Sequence, residues 1–178
     1  MMTLAAVLCC AMTTTVFTAC GSDDDGNTKP DDSTPVAAVM DYTLTVGDDM
    51  VKYLDLTVDY YDADGNVKSE SMTEKTWKKT VQTQLPATLG ARLKIQVKSD
   101  VNPATLEKFT ESYSYNYSVY PIAASGKQLG GGKSSTSSMS VTMQGDKLAE
   151  WAEKHANGLM KFLYVIDANG QTTSSSWQ

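Results

Sequence analysis

The sequence has few cysteines and a single histidine, and their positions exclude several kinds of site. The three cysteines of the 178-residue chain are Cys9, Cys10 and Cys20. Residues 21–178 therefore contain no thiol for a disulfide or for a cysteine-type structural zinc site. His155 is the sole histidine, so a zinc site built on two histidines is excluded, and any Ser-His pair would have to use this residue.

Positive charge is also scarce. The formal net charge is −6 at pH 7, and Arg92 is the sole arginine. Binding of nucleic acid requires a basic stripe that neutralises phosphates, and the sequence has none. We therefore expect no nucleic-acid partner. Because no combination of nucleophile, general base and metal ligands stands out either, we predict that the protein has no cofactor or metal and is not an enzyme.

The longest apolar run lies at the N-terminus and is short for a membrane span. Residues 2–19 carry no charge and are mostly apolar or small. A transmembrane helix needs about 20 predominantly apolar residues. The run is typical instead of a secretory signal peptide, which ends in small residues at its cleavage point. We predict that residues 1–19 are a signal peptide.

The residues around Cys20 resemble those of bacterial lipoproteins. Phe17–Cys20 (Phe-Thr-Ala-Cys) resembles the lipobox, and Ser22–Asp25 (Ser-Asp-Asp-Asp) resembles the acidic export tag of surface lipoproteins in the Bacteroidota. This resemblance covers residues 1–25. It implies that Cys20 is lipidated and becomes the first mature residue. It also implies that the lipid anchors the protein in the outer membrane, at the cell surface or alternatively at the periplasmic face.

Residues 20–35 are rich in Asp, Ser, Thr, Gly and Pro and offer almost nothing to bury. This composition predicts a disordered acidic tether. Residues 36–178 that follow are numerous enough for a single domain with a hydrophobic core. The tether contains Asp32-Ser33-Thr34, which resembles a three-residue O-glycosylation motif of secreted Bacteroidota proteins and implies a glycan on Ser33.

The domain alternates apolar and polar residues with a period of two, which is typical of half-buried strands. One strand is predicted from Ala38 to Val46, with a turn at residues 47–49. The next strand is predicted to bury Leu54, Leu56, Val58 and Tyr60 and to direct Asp55 and Asp59 towards water. The Gly- and Ser-rich residues 123–138 predict a long loop, and Met139, Val141 and Met143 predict a short strand after it.

About eight such strands and one short helix near residues 146–157 predict an all-β, antiparallel β-sandwich with an immunoglobulin-like or transthyretin-like topology. A lipocalin-like closed barrel is the alternative, because alternation does not distinguish two packed sheets from one closed sheet.

Asp62–Asn66 and Asp167–Gly170 resemble fragments of calcium loops. Tight hairpin turns explain both segments without a metal.

The candidate ligand contacts are aromatic residues on faces predicted to meet solvent, namely Tyr53, Tyr61, Trp77 and Trp177. Exposed aromatic rings stack on sugars and anchor protein contacts, although the same rings could pack against a helix, a loop or each other. The sequence thus favours a non-catalytic surface lipoprotein that binds a glycan or a protein partner. The alternative is a structural or accessory subunit of an outer-membrane assembly, which an unpaired terminal strand would favour.

Overall fold

The computed structural model of the chain describes residues 32–177, which form two packed antiparallel sheets. The strands are β1 (Pro35–Val46), β2 (Leu54–Tyr61), β3 (Val67–Ser71), β4 (Thr76–Gln84), β5 (Ala87–Val97), β6 (Lys108–Ala123), β7 (Lys133–Gln144), β8 (Lys161–Ile166) and β9 (Thr172–Ser175). Sheet 1 has the order β4-β1-β6-β7, and sheet 2 has the order β3-β2-β5-β8-β9. The predicted β-sandwich is confirmed. The lipocalin-like closed barrel is excluded for these residues, because their strands are divided between two separate sheets.

Strands β1 and β2 occur where the alternation of apolar and polar residues predicts them. Every second residue of β1 from Ala38 to Val46 is buried, and β2 buries Leu54, Leu56, Val58 and Tyr60. These apolar faces meet in one core between the sheets. Strand β1 begins at Pro35, so the first residue of the sandwich lies inside the segment that was predicted to be a tether. The predicted signal peptide, Cys20 and the acidic run lie outside the described residues.

Two local predictions were wrong. The turn predicted at residues 47–49 is the start of a helix, α1 (Asp48–Tyr53), which carries Asp48 and Asp49 in its first turn, where the helix dipole favours negative charge. The loop predicted over residues 123–138 ends much earlier, because β7 begins at Lys133 and pairs with β6 over its whole length. Residues 133–138 of β7 are polar on both faces, so hydrophobic alternation in this strand begins only at Met139.

The predicted late helix is confirmed as α2 (Leu148–His155), which closes one end of the core. Leu148 and Ala152 are buried, and the Trp151 ring packs with its centroid 5.3 Å from that of Phe109. His155 is half-buried, and its Nδ1 lies 2.8 Å from the Trp151 carbonyl oxygen. Its ring also packs against that of Trp151, with the centroids 5.2 Å apart. No helix within residues 32–177 is long and apolar enough to cross a membrane.

The inner face of β6 carries one buried carboxyl group. Glu111 is 4% exposed, and its Oε1 has no hydrogen-bond partner among the described residues. Burial raises the pKa of Glu111, while a hydrogen bond from Trp151 and the charge of His155 partly oppose that rise. The protonated form of this side chain is thus favoured by folding.

Along one side of the sandwich, Glu70 of β3 in sheet 2 reaches to β4 in sheet 1. Its carboxylate accepts hydrogen bonds from Tyr60 Oη at 2.7 Å, Trp77 Nε1 at 2.8 Å and Lys79 Nζ at 2.5 Å. Burial alone would raise the pKa of Glu70, but these three donors outweigh it and hold the pKa below its ordinary value. The Glu70 carboxylate therefore links the two sheets at this side of the sandwich.

The two aspartate-rich segments are hairpin turns, as predicted. Asp62 Oδ1 accepts hydrogen bonds from the backbone N–H groups of Asp64 and Asn66, at 3.0 and 2.8 Å. Asp167 Oδ1 makes the equivalent bonds to Asn169 and Gln171, at 2.8 and 2.9 Å. In both turns one carboxylate oxygen is used to fix the backbone. Between residues 32 and 177, no three acidic, histidine or cysteine side chains converge as a metal site would require.

Candidate functional site

The outer face of sheet 2 carries a groove beside two aromatic rings. Tyr61 is the last residue of β2, and Trp177 follows β9; both are half-buried. Their ring centroids are 5.2 Å apart and the ring planes are inclined by 42°. The groove has a volume of about 410 Å³, and its lining combines these rings with aliphatic, hydroxyl and cationic side chains, namely Val67, Thr88, Arg92, Leu163, Val165, Ser175 and Ser176. We call it the Tyr61–Trp177 groove.

Trp177 is held in place by two contacts that the sequence did not reveal. The indole Nε1 donates to the carbonyl oxygen of Phe162 at 3.1 Å. The guanidinium carbon of Arg92 lies 4.8 Å from the centroid of the indole ring. A cation over an aromatic face is attracted by the ring quadrupole. The ring is therefore positioned before any ligand arrives.

Arg92 is itself fixed by Asp59, which was predicted to face water. That prediction was wrong, because Asp59 is only 2% exposed. Arg92 Nε and Lys94 Nζ each lie 3.0 Å from Asp59 Oδ2, and Ser69 Oγ donates to Asp59 Oδ1 at 2.6 Å. Asp59 does lie on the outer face of sheet 2, as alternation requires. The longer side chains of the neighbouring strands cover it.

The electrostatics of this network favour an ionised Asp59. Burial alone would raise the pKa of Asp59, but the hydrogen bonds from Ser69, Lys94 and Arg92 outweigh burial and hold the pKa below its ordinary value. Two cations thus share one carboxylate. Lys161, which is exposed and lies opposite Arg92 in the β5–β8 register, adds a further positive charge. The region beside Trp177 is locally cationic in a chain whose net charge is −6.

The floor of the groove depends on a residue without a side chain. Gly90 of β5 pairs with Leu163 of β8, and both lie on the outer face of sheet 2. A Cβ atom at Gly90 would lie 2.5 Å from the Phe162 carbonyl oxygen and 2.7 Å from Leu163 Cδ1. Glycine therefore lets Leu163 lie flat on the sheet, where it is only 7% exposed. Leu163 thus contributes an apolar side chain to the lining of the groove.

Of the four aromatic residues that the sequence singled out, the structure brings together only Tyr61 and Trp177. Tyr53 lies at the opposite end of β2, at the end of α1, where it is half-buried and packs against Phe109 with ring centroids 6.5 Å apart. The prediction that Trp77 meets solvent was wrong. It is 9% exposed, and its ring lies between those of Tyr42 and Tyr60, at 5.8 and 5.6 Å.

Trp77 faces inward because it pairs with Leu44, an inward-facing residue of β1. Sequence reasoning also missed Arg92, Asp59 and Leu163 as parts of the site. A signal for the first two was present: the basic outer face of β5 and the acidic outer face of β2 suit neighbouring strands. Opposite charges on facing strands stabilise a sheet.

Comparison with known proteins supplies no relative for this site: no protein family, curated protein or solved structure matches the chain. The fold and the groove together define a β-sandwich domain with a preformed aromatic and cationic surface site. Such a site has a stacking surface, hydroxyl groups for hydrogen bonds and positive charge at its rim.

Proposed function

We propose that this protein is a non-catalytic lipoprotein of the outer membrane whose β-sandwich domain binds a glycan in the Tyr61–Trp177 groove. The observation that carries the proposal is the pair of adjacent, half-exposed rings on an outer sheet face. Unlike Trp77, which is 9% exposed in the core, both rings remain partly accessible to a ligand. The groove volume of about 410 Å³ falls within the range of small-molecule sites.

Each part of the groove suits a property of sugars. The apolar face of a pyranose ring can lie on Tyr61 and Trp177, and the hydroxyls of Thr88, Ser175 and Ser176 can exchange hydrogen bonds with sugar hydroxyls. Because Trp177 is already fixed by Phe162 and Arg92, little side-chain entropy is lost on binding. The local positive charge favours a glycan that carries carboxylate groups over a neutral one.

The test is binding of the chain from Gly21 onward to an array of neutral and acidic glycans. Trp177→Ala and Tyr61→Ala should each weaken binding by about tenfold or more, equivalent to about 1.4 kcal/mol. Tyr53→Ala is the matched control, since it removes a half-buried aromatic ring at the other end of β2. Circular dichroism checks that each variant folds. Absence of binding to any glycan, or an equal loss in Tyr53→Ala, would refute the proposal.

The membrane anchor forms the second part of the proposal. The sequence around Cys20 supports lipidation at that residue and display at the cell surface. Cells fed an alkyne fatty acid should label the wild-type protein and Cys10→Ser but not Cys20→Ser. Digestion of intact cells by an added protease distinguishes surface display, in which the domain is cleaved, from the periplasmic alternative, in which it is protected. Label retained in Cys20→Ser would refute anchoring at Cys20.

A glycan on Ser33 is also proposed. Ser33 is exposed, in a bend just before β1, and a glycosyltransferase could reach it without unfolding the domain. Intact-mass measurement of protein from the native host should show a mass above that of the polypeptide, and Ser33→Ala should remove the difference. An unmodified wild-type mass would refute this proposal.

A second candidate function is a structural or accessory subunit of an outer-membrane assembly. The observation that favours it is the long edge strand β7, because an open sheet edge can pair with another strand.

A further inference from the structure

The described residues have four sheet edges, and three of them carry features that discourage pairing with another chain. Sheet 2 ends in β3, which has 5 residues including Lys68 and Glu70, and in β9, which has 4 residues. Sheet 1 ends on one side in β4, which carries Lys78 and Lys79. Short strands and charged residues are the usual means by which natural sheets avoid edge-to-edge association.

The fourth edge, β7, has none of these features. It is 12 residues long, and after Lys133 its sequence, Ser134–Gln144, contains neither a charge nor a proline. It pairs with β6 on one side, and within residues 32–177 no strand pairs with its other side. Every second residue of such a strand presents its backbone N–H and C=O outward, ready to pair.

Apolar side chains lie along this same edge. Val141 is 46% exposed, and Met139 and Met143 are half-buried. All three pair with inward-facing residues of β6, and thus lie on the inner face of sheet 1. They are at the margin of the core, where another strand beside β7 would cover them.

We propose that β7 pairs with β7 of a second copy of this chain, in antiparallel orientation about a two-fold axis at Ser140. This register places Met139 of one copy opposite Val141 of the other and covers both. No like charges face each other along Ser134–Gln144, so the segment is compatible with itself despite the net charge of −6. The result is a continuous eight-stranded sheet formed from two copies of four-stranded sheet 1.

Pairing through β7 does not depend on glycan binding, because the Tyr61–Trp177 groove lies on the outer face of the other sheet. The first measurement is the solution mass of the chain from Gly21 onward by sedimentation equilibrium, at concentrations up to about 1 mM, where weak self-association is detected. The wild-type mass should be twice that of one chain. Val141→Lys should give the mass of one chain, because an inward-pointing charge on an edge opposes pairing.

Val141→Lys should leave the single domain folded, because the new ammonium lies opposite Glu111 in the β6–β7 register. Val36→Lys is the matched control, since Val36 is 44% exposed but lies on β1. It should keep the doubled mass. A wild-type mass of one chain, or a doubled mass in Val141→Lys, would overturn the proposal. If the wild-type mass is that of one chain, the edge of β7 would remain open to pairing with a strand of another protein.

Disulfide trapping tests the same pairing without a substitution that is designed to prevent it. The chain from Gly21 onward has no cysteine, so Ser140→Cys introduces its sole thiol, at the proposed axis. Under mild oxidation it should form a covalent dimer about tenfold or more faster than Ser114→Cys, because pairing raises the effective concentration of the two thiols. Ser114 lies on the same outer face but on β6, one strand inside the edge. Equal rates for the two variants would overturn the proposal.

Discussion

The contacts of Asp59 with Ser69, Arg92 and Lys94 allow a direct test of what stabilises the Tyr61–Trp177 groove. Replacing Asp59 with Asn keeps the size of the side chain but removes the negative charge that Arg92 and Lys94 share. The two cations are then left close together without a counter-charge. Since Arg92 also lies against the indole of Trp177, the substitution should loosen one wall of the Tyr61–Trp177 groove.

The expected cost follows from burial. Removing one partner of a buried ion pair costs about 3–5 kcal/mol, because the remaining charge is left uncompensated. Here Arg92 and Lys94 keep 21% and 38% of their side-chain surface exposed, so water can compensate part of the loss, and we expect about 2–3 kcal/mol. Asp55→Asn is the matched control on the same face of β2. Asp55 is exposed, and its substitution should change the stability by about 0.5 kcal/mol or less.

Urea denaturation, followed by circular dichroism, measures this difference. With a slope of about 2 kcal/mol per molar urea, the midpoint for Asp59→Asn should fall by about 1 M or more. The folded-state pKa of Asp59 is lowered, so its contribution is fully present above the unfolded pKa of about 3.9 and is lost as the pH falls through the folded-state pKa. Equal midpoints for Asp59→Asn and Asp55→Asn at pH 7 would refute this reasoning.

Three further predictions concern Gly90, Glu111 and Trp77. Gly90→Ala should lower the unfolding free energy by about 1–3 kcal/mol in the same urea assay, because its Cβ would press on the Phe162 carbonyl oxygen. The folded-state pKa of Glu111 is raised, so ionisation of this carboxyl group destabilises the folded protein above the unfolded pKa of about 4.3. Glu111→Gln should therefore raise the melting temperature more at pH 7 than at pH 4. Equal changes at the two pH values would contradict this. Trp77→Ala should cost about 3–5 kcal/mol, and Trp177→Ala less, because Trp177 is half-exposed.

Sequence reasoning succeeded where one strand carries its own signal. The alternation from Ala38 to Val46 and in β2 is strong enough to define which side chains are inside. It finds only part of β7: Met139, Val141 and Met143 alternate with polar residues, but from Lys133 to Ser138 both faces of the strand are polar. It also misses α1, because a helix of 6 residues is too short to establish a period of 3.6.

The groove was only partly predictable for a different reason. Tyr61 and Trp177 were identified as separate surface aromatics, but their proximity depends on the order of strands in sheet 2. Asp59 was assigned to water because alternation describes one strand and not its neighbours. Its partner Arg92 is 33 positions away in sequence. The inward orientation of Trp77 likewise depends on β4 joining sheet 1, a crossing that no local pattern specifies.

The central position of β1 has a mechanical consequence. This strand continues directly from the N-terminal segment and lies between β4 and β6, paired with β4 from Ala37 to Thr45 and with β6 from Pro35 to Val46. Hydrogen bonds between antiparallel strands run perpendicular to the strand axis. Tension that enters along β1 therefore loads both ladders in shear, and many bonds must yield together, whereas an edge hairpin would peel open one bond at a time.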